Sequence, residues 1–157
     1  MMKHFLFLIA VALLLTVPES ANAQTQDVRD VQATIEQLFD GMRASDSAMV
    51  ADTFTKDAIM RRVAKNQEGE VMVNTGNLAS FLKAIGSPKE QVWDERIGSY
   101  DINIDGNLAT VWTPFEFYIG DKFSHCGVNS FQLVKKDGDW KIFFIVDTSR
   151  QSNCVES

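Results

Sequence analysis

Histidine and cysteine are scarce in this chain of 157 residues, which has two of each. His4 lies in a leader-like N-terminus, so His125 is the only imidazole expected in the mature protein. One histidine with scattered carboxylates makes no cluster of metal-ligand spacing, and no metal is expected. No Gly-x-Ser-x-Gly string marks a nucleophile and no glycine loop is present to cradle a phosphate, so no cofactor is expected either. Positive charge is also short, since 15 Lys and Arg against 21 Asp and Glu leave a formal net charge of −6. Arg61-Arg62 and Lys135-Lys136 are isolated basic pairs. An acidic surface of this kind repels phosphate backbones and anionic lipid, which argues against nucleic acid as a partner.

Long apolar runs are limited to Phe5–Val17. That run falls short of the roughly 20 residues a spanning helix needs. Met1-Met2-Lys3-His4 precedes it, and Pro18 and the small-x-small tripeptide Ala21-Asn22-Ala23 follow. This pattern predicts a signal peptide over 1–23 cut after Ala23, a periplasmic or secreted protein with no membrane anchor, and one domain over 24–157. In an oxidising compartment Cys126 and Cys154 can form one intramolecular disulfide, or remain a buried thiol and a tail thiol.

Within the domain, Val28, Val31, Ile35, Leu38, Phe39 and Met42 recur at helical spacing, with Asp27 placed to cap the start. Ser45-Asp46 open a shorter helical piece with Met49, Val50 and Phe54. Ala58–Val63 and Val71–Val73 are short strand candidates around Asn66-Gln67-Glu68-Gly69. A third helix is capped by Asn77, carries Leu78, Phe81, Leu82 and Ile85, and stops at Gly86. From Gln91 onward, turns at Asp105-Gly106, Gly120-Asp121 and Asp137-Gly138 divide a four-stranded antiparallel meander. Helices in front and a long sheet behind, sharing one core, make the class α+β.

Phe54-Thr55-Lys56-Asp57-Ala58, Asp105-Gly106-Asn107-Leu108-Ala109-Thr110-Val111 and Asp137-Gly138-Asp139-Trp140-Lys141-Ile142, in this order of elements, resemble the nuclear transport factor 2-like superfamily. Within it the chain is most similar to SnoaL-like and lumazine-binding-like bacterial proteins, over roughly Asp27 to Arg150. The resemblance implies a cystatin-like cone, a strongly bent antiparallel sheet wrapped round N-terminal helices, with a pocket open at one end and frequent dimerisation. Such strings mark a fold well and a chemistry poorly.

Opposed residues in a hairpin share a face, so pairing across the turns sorts the side chains. Two-residue loops at Asp105-Gly106 and Asp137-Gly138, with a three-residue loop from Gly120 to Lys122, give four rows. Tyr100, Val111, Phe131 and Phe144 form a dry layer; Gly98, Thr113, Asn129 and Val146 come next. Then follow Arg96, Phe115, Gly127 and Thr148, and last Asp94, Phe117, His125 and Arg150. Gly98 and Gly127 are expected to let the sheet bend or to leave room for a ligand. The opposite face collects Trp112, Tyr118, Val128, Val134, Phe143 and Ile145. So much apolar surface predicts a cover, and a homodimer through that face is expected.

An inner face graded from apolar to polar predicts a half-open pocket for a small molecule of unknown identity. The expected contacts are Arg96, Tyr100, Thr113, Phe115, Phe117, Asn129, Phe144, Thr148 and Arg150. The alternatives are a small isomerase, dehydratase or hydrolase using His125 with Asp94 as orienting partner, and a dimerisation module with a filled cone. Enzyme templates of this fold are each incomplete here. A scytalone-dehydratase-like site needs paired histidines, a ketosteroid-isomerase-like site a tyrosine and two acids, and a limonene-epoxide-hydrolase-like Asp-Arg-Asp set finds Asp94 and Arg96 but places Asp147 outside.

Overall fold

The computed structural model describes residues 19–154. The apolar leader run lies outside them, and the expected cut after Ala23 falls within the first helix. That helix, α1 (Glu19–Ala44), buries Val31, Ile35, Leu38, Phe39 and Met42 as one stripe. It begins upstream of Asp27, which is therefore no cap. Its carboxylate ties α1 to the sheet instead, accepting from Lys135 Nζ at 2.5 Å and from Trp140 Nε1 at 3.3 Å. In α2 (Ser47–Asp52) the Asp46 side chain caps the amides of Ala48 and Met49. Asn77 does the same for Ser80 at the start of α3 (Leu78–Gly86).

The described residues also form seven strands: β1 (Phe54–Lys65), β2 (Val71–Gly76), β3 (Trp93–Ile97), β4 (Asp101–Asp105), β5 (Leu108–Ile119), β6 (Lys122–Lys136) and β7 (Asp139–Thr148). Their order in the sheet is β2-β1-β7-β6-β5-β3, with β4 also paired to β5. The class is α+β, but the sheet is mixed, because β1 runs parallel to β7. Among the described residues no helix is long and apolar enough to cross a membrane.

Three local offsets decide which side chains look inward. The first hairpin turns at Gly106-Asn107, so Ile104 pairs with Ala109 and Ile102 with Val111. The expected single strand before it is broken between Ile97 and Asp101, and β3 sits one register step away from β4, with Glu95 opposite Phe117 and Arg96 opposite Glu116. The middle turn is the two-residue Gly120-Asp121, and an extra residue at Ser124 then restores Phe117 opposite His125 and Thr113 opposite Asn129. Those rows match the expectation through two offsets that cancel. Asp137 and Gly138 both have positive φ, as a two-residue hairpin turn requires. Beyond Leu133–Ile142, however, a bulge at Phe143 slips β7, and Ile145 and Asp147 come to face Phe131 and Asn129.

The core gathers where α1 crosses the sheet. Val111, Phe131, Leu133 and Ile142 are at most 1% exposed, and the Phe39 ring meets Phe131 edge-on at 6.3 Å. Gly127 serves close backbone packing: a Cβ there would lie 1.9 Å from the Thr148 carbonyl oxygen. It leaves no ligand space, contrary to the expectation.

Candidate functional site

A cavity of about 430 Å³ lies between α1, α3, the β1–β2 hairpin and the inner face of the sheet. Its apolar wall is formed by Leu38, Phe39 and Met42 from α1, Phe54 and Met60 from β1, Phe81 from α3 and Ile145 from β7. The Phe54 and Phe81 rings pack edge-on at 6.5 Å, bracing one side. Polar groups line the rest: Arg61, Asn74, Thr75, Asn77 and Ser80 come from the hairpin and the start of α3, and Arg62, Glu95, Asn129 and Asp147 meet in one corner.

The corner is built by four strands. Asn129, 3% exposed, donates from Nδ2 to Glu95 Oε1 at 2.7 Å. Arg62 holds Asp147 with its fork, Nε lying 3.0 and 2.9 Å from the two carboxylate oxygens and Nη2 adding a further bond to Oδ2. That bonding to Asp147 raises the guanidinium's pKa. Glu95 has no such cation. Burial pushes its carboxyl up to about 7, and the negative charge of Asp147 adds to the rise, while the Asn129 bond and the Arg62 charge oppose it. Glu95 is half-buried and borders both this cavity and a second hollow. A neutral or ionised carboxyl is thus accessible near neutral pH within a partly apolar enclosure, which suits hydrogen bonding or proton exchange.

The residues expected from the sequence are scattered by the offsets described above. The step between β3 and β4 turns Asp94 and Arg96 away from the cavity. Asp94 accepts from Arg96 Nε at 2.7 Å and from Arg43 Nη1 at 3.3 Å. Arg96 is exposed and lies over the Tyr118 ring at 3.9 Å. The expected His125–Asp94 pair is therefore not formed. His125 instead stacks on Phe117 at 4.9 Å, meets Phe115 edge-on at 5.8 Å, and has Ser124 Oγ 3.1 Å from Nδ1. Burial within this aromatic corner, and the Arg62 charge, hold the imidazole below its ordinary pKa.

The Phe143 bulge removes Phe144, Thr148 and Arg150 from the inner face. Thr148 Oγ1 accepts from the Val128 amide at 3.0 Å. Arg150 exchanges backbone bonds with Cys126, while its Nε donates to the Asn153 carbonyl. Beside them Cys126 and Cys154 are joined in a disulfide. Thr113 is fully buried in the row of Asn129. Tyr100 borders a separate polar hollow beyond Phe39 and Glu95, where burial pushes its phenol up to about 12. Of the expected contacts, Asn129 alone lines the cavity.

Glu95, Arg62 and Asp147 escaped the sequence reading for separate reasons. Glu95 lies between Asp94 and Arg96, and its face depends on a register step. Asp147 was weighed as an acid and assigned outward by a parity that the bulge reverses. Arg62 looked like half of a solvated basic pair, and only the parallel pairing of β1 with β7, which puts it opposite Asp147, reveals its partner.

The family model described as "Putative lumazine-binding" matches residues 26–144. None of the curated proteins compared matches the chain. Among solved structures, a Mycobacterium tuberculosis protein described as of unknown function is 16% identical, with a TM-score of 0.68 over 85% of this chain and 77% of that one. A Novosphingobium aromaticivorans protein described as a "Putative Scytalone Dehydratase" is 15% identical, with a TM-score of 0.67 over 87% of this chain and 93% of its own. A second protein from that organism, described as nuclear transport factor 2-like with a cystatin-like fold, is 11% identical at a TM-score of 0.66, covering 83% and 86% of the two chains. At these identities the likeness is one of fold, and the fold is nuclear transport factor 2-like and cystatin-like.

Proposed function

The chain belongs to the family described as "Putative lumazine-binding", and from that premise we propose that it is an exported binding domain whose cavity takes a small, partly apolar molecule. The observation that carries this reading is the contrast inside one enclosure. Apolar side chains from α1, β1, α3 and β7 share the space with a fixed polar corner and with polar residues of the β1–β2 hairpin and α3. Walls of that kind supply affinity through buried area, and a few fixed polar groups supply orientation. The family's description supports small-molecule binding as the class of activity, and a heterocycle is a natural first probe. The alternative of an enzyme built on His125 and Asp94 loses its basis, since the two side chains lie on opposite faces of the sheet.

Thermal-shift screening of the chain beginning at Gln24 against aromatic and heterocyclic compounds tests the reading. A true ligand raises the melting temperature of the unaltered protein, less so in Asn129→Ala, and not at all when Ser80→Trp fills the cavity from α3. Hits indifferent to both substitutions would place binding elsewhere.

Export and dimerisation belong to the same proposal. Intact mass of the protein recovered from a secreting host is expected to correspond to a chain starting at Gln24; a retained leader would overturn this. On the outer face Trp112, Ile59, Val71 and Val73 are exposed, and a second copy is the proposed cover. Sedimentation velocity should give a dimer that Trp112→Glu dissociates. A monomer at tens of micromolar would count against it.

A further inference from the structure

Glu95 is the carboxyl of the cavity that no cation holds. Both oxygens of Asp147 are taken by the Arg62 fork. Glu95 accepts one hydrogen bond, from Asn129 to Oε1, and among the described residues no hydrogen bond reaches Oε2. A proton taken up by this carboxyl therefore belongs on Oε2, because Oε1 already serves as acceptor. Oε2–H is then a donor without a protein partner.

Glu95 also stands in a wall between two spaces. On one side is the cavity; on the other is a polar vestibule of about 320 Å³ bordered by Glu36, Asp40, Arg43, Ile97 and Tyr100. Phe39 and Glu95 border both. A carboxyl so placed can exchange its proton with vestibule water while a ligand fills the cavity.

Burial favours the protonated form, and of the charges around it Asp147 favours that form while Arg62 opposes it. From α1 come Glu36, Asp40 and Arg43, from β1 Arg62, from β6 His125, from β7 Asp147, and Tyr100 follows β3. Arg43 is already engaged by Asp40 and Asp94, and Arg62 by Asp147. A further cation, Arg61, also lines the cavity and bonds the Thr75 hydroxyl there.

We propose that the cavity takes uncharged molecules with a carbonyl or ring-nitrogen acceptor, to which Glu95 Oε2–H donates. This rests on the cavity being the ligand site. With Glu95 pushed up to about 7, the donor is present below neutrality and lost above it. Affinity for such a molecule falls as pH rises.

The test uses 6-propionyl-2-(dimethylamino)naphthalene, an uncharged ketone whose emission shifts red when its carbonyl is hydrogen-bonded. Binding is titrated between about pH 5.5 and about pH 8.5, a range that spans the Glu95 transition. The unaltered protein should weaken at least about tenfold across that range, as the loss of one donor predicts. Glu95→Gln keeps an N–H donor without a proton to lose, so it should bind at all pH values with the low-pH affinity and the red-shifted emission. Glu95→Ala should be about tenfold weaker at low pH and flat.

Ser80→Trp separates the two readings. If it abolishes ketone binding but affinity is flat or rises with pH, or Glu95→Gln keeps the pH dependence, then the Glu95 inference is wrong and the cavity stands. If ketone binding survives Ser80→Trp, the cavity is not the site and both fall. Failure of the ketone to bind at low pH overturns the proposal.

Discussion

Val111, Phe131, Leu133 and Ile142 are sealed under α1 with no polar group among them, whereas a few residues away on the same strands Asn129 and Asp147 frame a polar corner with Glu95 and Arg62. One sheet face thus holds a dry end and a polar end. At the dry end every buried atom adds to stability through packing and transfer from water. At the polar end a half-buried carboxyl has no cation to hold it, which costs stability and provides a group that changes charge near neutral pH. Substitutions at the two ends should therefore differ in sign as well as in size.

The largest effect is expected at the dry end. Phe131 is fully buried and packs edge-on against Phe39. Phe131→Ala removes that ring from a site that cannot collapse, and should destabilise the protein by about 3–5 kcal/mol in urea unfolding. The loss should be the same at acid and neutral pH, since no titratable group is involved. A loss under about 1 kcal/mol would mean that the core lies elsewhere.

Glu95→Gln should act in the opposite direction. The folded carboxyl titrates at about 7 against an ordinary 4.5, so the folded state binds the extra proton between those values. Stability is then undiminished below about pH 4.5, declines as pH rises toward 7, and stays reduced above it. Gln carries no charge to desolvate. The variant should gain up to roughly 3 kcal/mol at pH 8 and nothing at pH 4. Urea midpoints at the two pH values measure this directly; equal gains at both would show that charge burial is not the cause.

The two ends were not equally legible in the sequence. Phe131 and Leu133 alternate with polar neighbours, and that period fixes their face whatever the turn does. The helices were legible too, from their spacing and from the caps Asp46 and Asn77. The polar end depends on features without a local signal. Ile142 to Val146 is apolar throughout, so nothing in its pattern announces a bulge at Phe143 or the inward turn of Asp147. The step between β3 and β4 similarly exchanges Asp94 for Glu95. Parallel pairing of β1 with β7 joins segments far apart in sequence, and no periodicity encodes it. A one-residue offset leaves an apolar strand apolar on both faces, but it exchanges one charged residue for another.

The smallest effect on stability belongs to the Arg62–Asp147 pair, and it is the one that tests whether the polar end acts as a unit. About half of the Arg62 side chain is exposed, against 12% for Asp147, so a double-mutant cycle with Arg62→Met and Asp147→Asn should give a coupling of only about 1 kcal/mol. The titration of Glu95 should respond in two directions. The Asp147 charge raises its pKa and the Arg62 charge lowers it. Asp147→Asn should therefore move the Glu95 carboxyl down toward the ordinary range, and Arg62→Met should move it further up. Carbon-13 NMR of the labelled side-chain carboxyl reads both shifts without any ligand. Phe131→Ala, provided enough folded protein remains, should leave that titration where it is, because the dry end contributes packing and no charge. If neither charge substitution moved Glu95, burial alone would govern the carboxyl, and the ion pair would be a bystander in the wall.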